Sequence, residues 1–179
     1  MNIARRALAG ALLLTLGAGV QATTLKPVTE DALTDDAEAI VIGTVAASRS
    51  EWIGRTLVTS VTVDVSETLK GPSKARLEVL LPGGIDAKRP VPVAVRYPGA
   101  PTLVQGENVV LFLDSTALKP DAHVIVGFSQ GKYTLSDDED GTATVQRAAT
   151  ADRRDGISER RTLEQFRLQL QDHLAKPAR

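Results

Sequence analysis

The clearest signal in the chain is an alternation. From Leu57, every second residue reads Leu57, Thr59, Val61, Val63, Val65, Glu67, Leu69, and the residues between read Val58, Ser60, Thr62, Asp64, Ser66, Thr68. A period of two puts one set on a buried face and the other in water, the mark of a half-buried strand. A helix would scatter the same valines around its circumference. Gly71-Pro72 ends this strand. Upstream, Ala39-Ile40-Val41-Ile42 opens a strand over residues 39–47 that is apolar on both faces. Residues 48–55, which carry the chain's single tryptophan, Trp52, are expected to form the hairpin connection between the two.

Downstream, Leu77, Val79 and Leu81 mark a third strand that stops at Pro82-Gly83-Gly84. Val91, Val93, Val95 and Tyr97 alternate, but Pro90 and Pro92 remove ladder donors, so this stretch predicts an edge strand or an extended loop. The wholly apolar residues 109–113 predict a central strand. Residues 123–135 predict a long strand or a bent pair, broken around Gly127 and Gly131. Asp140-Gly141 is a hairpin-turn signal into residues 142–146.

Helices flank these strands. Thr29 can cap a short helix over residues 30–33, whose acids suit the positive helix end. Thr162 and Gln165 form a capping box, and Leu163, Phe166, Leu170 and Leu174 make one apolar stripe behind it. The expected fold is therefore mainly β: a small OB-like barrel of five to six antiparallel strands with a short N-terminal helix and a C-terminal helix. The long second strand can curl to serve both sheets of such a barrel. An immunoglobulin-like sandwich would need more strands and a central tryptophan.

The first residues change the picture of compartment. Arg5 and Arg6 precede an apolar stretch over residues 7–20, and Val20 and Ala22 supply small residues at a cut after Ala22. This predicts a secretory signal peptide, residues 1–22. The apolar stretch is too short to cross about 30 Å of hydrocarbon, so no stable membrane anchor is expected. The expected organisation is then a β-barrel domain over 23–148, a charged linker over 149–161 and a helix over 162–175 packed on the barrel. The expected location is the periplasm or the exterior.

Without Arg5 and Arg6 the 21 basic residues fall to 19 against 22 acidic ones. A mildly acidic module lacks the footprint of a nucleic-acid binder. The chain has no cysteine. That excludes disulfides and lipid attachment at a cleavage-site Cys, and leaves stability to core and ladders.

Candidate chemistry is sparse. Gly127-Phe128-Ser129-Gln130-Gly131 matches the G-x-S-x-G elbow in which a strained strand-to-helix turn exposes a nucleophilic serine. Here Ser129 has strand pattern on both sides, and the only downstream histidine, His173, lies on the last helix. A glycine-bent strand is the simpler reading. His123 and His173 are the only histidines, too few for a usual zinc site. The acidic segment at 137–141 has Ser136 and Arg147 where a calcium loop needs acids. No metal and no cofactor are expected. The acid pairs Glu30-Asp31 and Asp35-Asp36 read as solvated carboxylates. Of six aromatics, Phe112, Phe128 and Phe166 fall on apolar faces. Trp52, Tyr97 and Tyr133 remain, and Trp52 is the residue nominated for contact with a partner.

Several segments taken in order carry a resemblance. They are Ile40-Val41-Ile42-Gly43-Thr44-Val45, the valine strand ending at Lys70-Gly71, Leu81-Pro82-Gly83-Gly84, Gly99-Ala100-Pro101, Gly106 through Leu113, and Val126 through Tyr133. Across residues 38–135 the chain resembles exported bacterial β-barrel proteins of unassigned function. The opening acid, apolar strand and Gly-Thr-Val, followed by a long valine strand, is also similar to netrin-like OB barrels, the fold group of the tissue inhibitors of metalloproteinases. In those inhibitors an N-terminal Cys chelates the protease zinc. This chain has no Cys and an expected mature start at Thr23-Thr24, so the resemblance implies a fold and carries no inhibitory residue.

The function expected from all this is a non-enzymatic exported interaction module. It would bind another exported protein or an envelope component, and could be protease-associated or inhibitory. The alternatives are a serine hydrolase using Ser129 and a small-molecule or metal carrier.

Overall fold

The computed structural model describes residues 27–147 and 160–176. The expected signal peptide and most of the expected linker lie outside the described residues. Within them the protein is mainly β, with one helix before the strands and one after.

The first helix, α1 (Glu30–Asp36), starts where Thr29 Oγ1 accepts the Ala32 N–H at 3.2 Å. It runs past the expected Leu33 because Leu33 and Thr34 are both buried. Two long strands follow, β1 (Ala39–Ile53) and β2 (Thr56–Lys70), joined by the two-residue turn Gly54-Arg55. Gly54 has φ +59°, a left-handed conformation that favours glycine. β1 is six residues longer than expected: the polar stretch after Ala47 is strand, not connection.

Next come β3 (Arg76–Pro82), the short pair β4 (Gly84–Asp86) and β5 (Val93–Val95), and then β6 (Asn108–Ser115). β7 (Ala122–Ile125) and β8 (Lys132–Asp137) lie one after the other along the same edge of β6. β9 (Ala143–Arg147) and β10 (Arg160–Thr162) complete the strands. Among the described residues the main sheet therefore has eight strands, in the order β1-β2-β3-β7-β6-β8-β9-β10, and not five or six. Two features raise the count. The Gly127–Gly131 excursion splits one expected strand into β7 and β8, and β10 forms within residues expected to be linker. One pairing, β3 with β7, is parallel.

β1 also pairs with β6, through Ala39–Thr44. The two strands share two cores, which explains their unbroken apolar runs. Ala39, Val41, Val45, Val109, Leu111 and Leu113 face one core with Val61, Val63 and Val79. Ile40, Ile42, Val110 and Phe112 face a second core, roofed by Leu33 of α1 and by α2 (Leu163–Leu174). α2 carries the expected capping box at Thr162 and Gln165 and buries Leu163, Phe166 and Leu170. Leu174, at the end of the expected stripe, is exposed.

Candidate functional site

Trp52 does not sit in a loop. It lies on the β1–β2 ladder opposite Leu57, because the turn begins only after Ile53. Along β1, Ser48, Ser50 and Trp52 share one face and Arg49, Glu51 and Ile53 the other. The first face is met by β4. The Trp52 indole N–H donates to Asp86 Oδ2 at 2.8 Å. Arg89 bonds the same carboxylate at 3.0 Å and stacks its guanidinium 4.7 Å from the indole centre. The Trp52 N–H, then the Lys88 N–H and Arg89, hold the Asp86 carboxyl below the usual aspartate range. Trp52 remains 38 % exposed.

Two glycines let the β4–β5 arm fold back against the hairpin. A Cβ on Gly83 (φ +86°) would lie 2.4 Å from the Val95 carbonyl, and one on Gly84 would lie 2.7 Å from Ser50 Oγ. Ser50 Oγ accepts the Ile85 N–H at 2.9 Å, and Thr59 Oγ1 donates to the Gly83 carbonyl at 2.9 Å. In the arm Gly84 pairs with Val95, Ile85 with Ala94 and Asp86 with Val93. Asp86, Val93 and Val95 turn toward the hairpin and are half-buried, while Ile85, Ala94 and Arg96 face out. Ile85 is 54 % exposed, Val91 75 % and Tyr97 48 %. Lys88 and Arg96 are exposed and make no ion pair among the described residues.

The opposite face of the same hairpin is closed. Lys119 reaches from the β6–β7 loop to Glu51 at 3.1 Å and Glu78 at 2.7 Å, and Arg49 and Ser60 also bond Glu78. Burial pushes the Glu78 carboxyl up, but Lys119, Ser60 and Arg49 outweigh it and hold the group below its ordinary value. This network covers the small apolar cluster of Val58, Leu80 and Ala122. The cations here are matched, whereas Lys88 and Arg96 of the arm are not.

A second polar cluster, which no local pattern signals, joins the two helices to the sheet. Tyr133 donates its O–H to Glu30 at 2.9 Å, and Arg161 bonds the same carboxylate at 2.5 Å. They border a cavity of about 270 Å³ with Val28, Val145 and Arg147. Burial, then the Glu30 charge, pushes the Tyr133 phenol far above its ordinary value, so it stays protonated and donates to Glu30. His173 on α2 reaches Asp35 at 2.7 Å and Asp31 at 3.2 Å on α1. Asp31 and Asp35, read from sequence as solvated carboxylates, are largely exposed and also meet His173 of α2. Glu30, read in the same way, is half-buried and ties α1 to β8 and β10.

Ser129 lies in a compact excursion between β7 and β8. Val126 donates to the Phe112 carbonyl and Phe112 to the Gly131 carbonyl, each at 2.9 Å, so the flanks stay on the ladder while residues 127–130 loop out. Gly127 and Phe128 both have positive φ, 65° and 68°. Gln130 is buried and accepts the Val28 N–H at 2.8 Å. The loop thereby anchors the segment before α1. No hydrogen bond joins Ser129 to a histidine among the described residues. His173 is engaged by α1, and His123 is buried on β7 beside Val79. No group of three or more metal-ligating side chains is assembled among the described residues. No helix among them is long and apolar enough to cross a membrane. Comparison of the chain with known protein families, with curated proteins and with solved structures finds no match in any of the three.

Proposed function

We propose that the chain is a non-enzymatic, exported binding module that engages another exported protein or an envelope component through the β4–β5 arm. The observation that carries this reading is the arm itself. It is fixed at its base by Ser50 and Thr59 and farther out by the Trp52–Asp86–Arg89 cluster. It then presents Ile85, Val91 and Tyr97 to solvent beside Lys88 and Arg96. Single exposed apolar residues are ordinary, but three along one projection, with aromatic and basic neighbours, have the composition of an interface.

The body that carries the arm fits an OB-like barrel. The pairings β1–β2, β2–β3, β3–β7, β7–β6 and β6–β1 return to the strand they start from. A cycle of five strands with one parallel step supports the likeness to netrin-like barrels at the level of fold. A protease is then one of the exported partners the arm could meet.

A photo-crosslinking residue at Val91, compared with one at Glu139 on the acidic β8–β9 turn, tests the reading in the producing cell. Adducts at Val91 that are missing at Glu139 support it. The same adducts at both positions, or none at Val91, overturn it.

A further inference from the structure

We infer that the surface the arm meets is an anionic phospholipid bilayer, with the loop of residues 87–92 as the part that enters it. This rests on reading the arm as the binding element, and it names the partner. Three observations select a lipid interface over a folded protein surface.

The first is what the arm's edge lacks. The Ile85 N–H points away from β5 to Ser50, so Ile85 and Ala94 form a non-hydrogen-bonded pair. The Ala94 N–H therefore lies on the outer edge, where the preceding outward position, Pro92, has no N–H. Such an edge cannot accept an added strand of useful length, so the arm must bind through side chains. A fluid interface requires no hydrogen-bond register.

The second is the layering of side chains. Val91 stands between Pro90 and Pro92 at the far end of the arm, the most exposed large apolar residue described. Trp52, partly exposed, packs against Asp86 and Arg89 where the loop leaves β4, and Tyr97 follows β5 at the arm's base. An apolar tip beside a partly exposed tryptophan matches the order of acyl boundary and headgroup region. The indole N–H is already bonded to Asp86, so the ring edge can enter the interface without leaving an unsatisfied donor.

The third is charge. Arg89 neutralises Asp86, leaving Lys88 in the loop and Arg96 just beyond β5 as the arm's unpaired cations on an otherwise acidic module. These cations favour anionic headgroups, whereas the net charge of the body is acidic, so the arm-first orientation is favoured.

The test is co-sedimentation of the processed chain, residues 23–179, with vesicles of phosphatidylcholine alone and of phosphatidylcholine with phosphatidylglycerol. Binding is expected to the mixed vesicles only, and to fall as salt is raised. Val91→Asp should abolish it, and the double change Lys88→Ala, Arg96→Ala should weaken it about thirtyfold. Leu168→Asp, at an exposed leucine of α2, should leave it unchanged. Equal binding to both vesicles, or undiminished binding by Val91→Asp, overturns the inference. If neither vesicle is bound while the Val91 crosslinker captures a protein, the lipid assignment fails and the binding-module reading survives. If neither vesicle is bound and nothing crosslinks at Val91, both fail.

Discussion

The same three-part device occurs twice in this molecule, once around a buried donor ring and once around an exposed one. In the core beneath the helices, Tyr133 donates to Glu30, Arg161 bonds that carboxylate, and the Arg161 guanidinium stacks 4.9 Å from the Phe166 ring. On the arm, Trp52 donates to Asp86, Arg89 bonds that carboxylate, and the guanidinium stacks on Trp52. The chemistry is alike, but the surroundings are not. Phe112, Tyr133 and Phe166 form a closed aromatic triangle with centroids 5.5–6.2 Å apart, whereas Trp52 has protein on one side and water on the other. A lost hydrogen bond in the first setting leaves a buried donor unsatisfied. In the second, water replaces it. The buried copy therefore supports the fold, and the exposed one only orients a projection.

The largest expected effect follows from the triangle. Phe166→Ala removes its keystone, the only ring contributed by α2, and should cost about 3–5 kcal/mol. Thermal unfolding followed by circular dichroism would show it. A loss under about 1 kcal/mol would mean that α2 does not roof the second core. The next is Glu30→Ala, which strands the buried Tyr133 hydroxyl and should cost about 1–3 kcal/mol. Tyr133→Phe, which removes the donor instead, should cost less. The gap between these variants should depend on pH in a fixed direction. The folded phenol titrates above its unfolded value of about 10, so the stability it contributes is present below that value and fades as pH rises beyond it.

The sequence exposes the two settings unequally. The alternation from Leu57 places Val61 and Val63 inward, where the structure buries them completely. The unbroken runs at residues 39–42 and 109–113 correspond to strands with a core on each face. The Thr29 and Thr162 caps are local and legible. Trp52 is misplaced because its face of β1, with Ser48 and Ser50, is covered by a thin arm rather than a core, and alternating polar residues there look like a loop. The Glu30–Tyr133 bond spans 103 residues of chain and has no local signal. Nor has the parallel β3–β7 step, because no helix stands in that crossover to announce it.

The smallest effect is the most specific test of the contrast. Trp52 is the only tryptophan, so indole fluorescence reports the arm and nothing else. Asp86→Asn should shift that emission and increase proteolytic cutting within residues 87–92, while the midpoint of global unfolding stays where it is. Acid should act in the same way on the parent protein. The folded Asp86 carboxyl titrates below its unfolded value, so what it contributes is intact above that value and is lost as pH falls through the depressed one. The emission should therefore change below the ordinary aspartate range, around pH 4 and under, and Asp86→Asn should abolish that step. If the emission and the far-ultraviolet signal moved together in both proteins, the arm would be part of the cooperative core, and the two copies of the device would be doing one job.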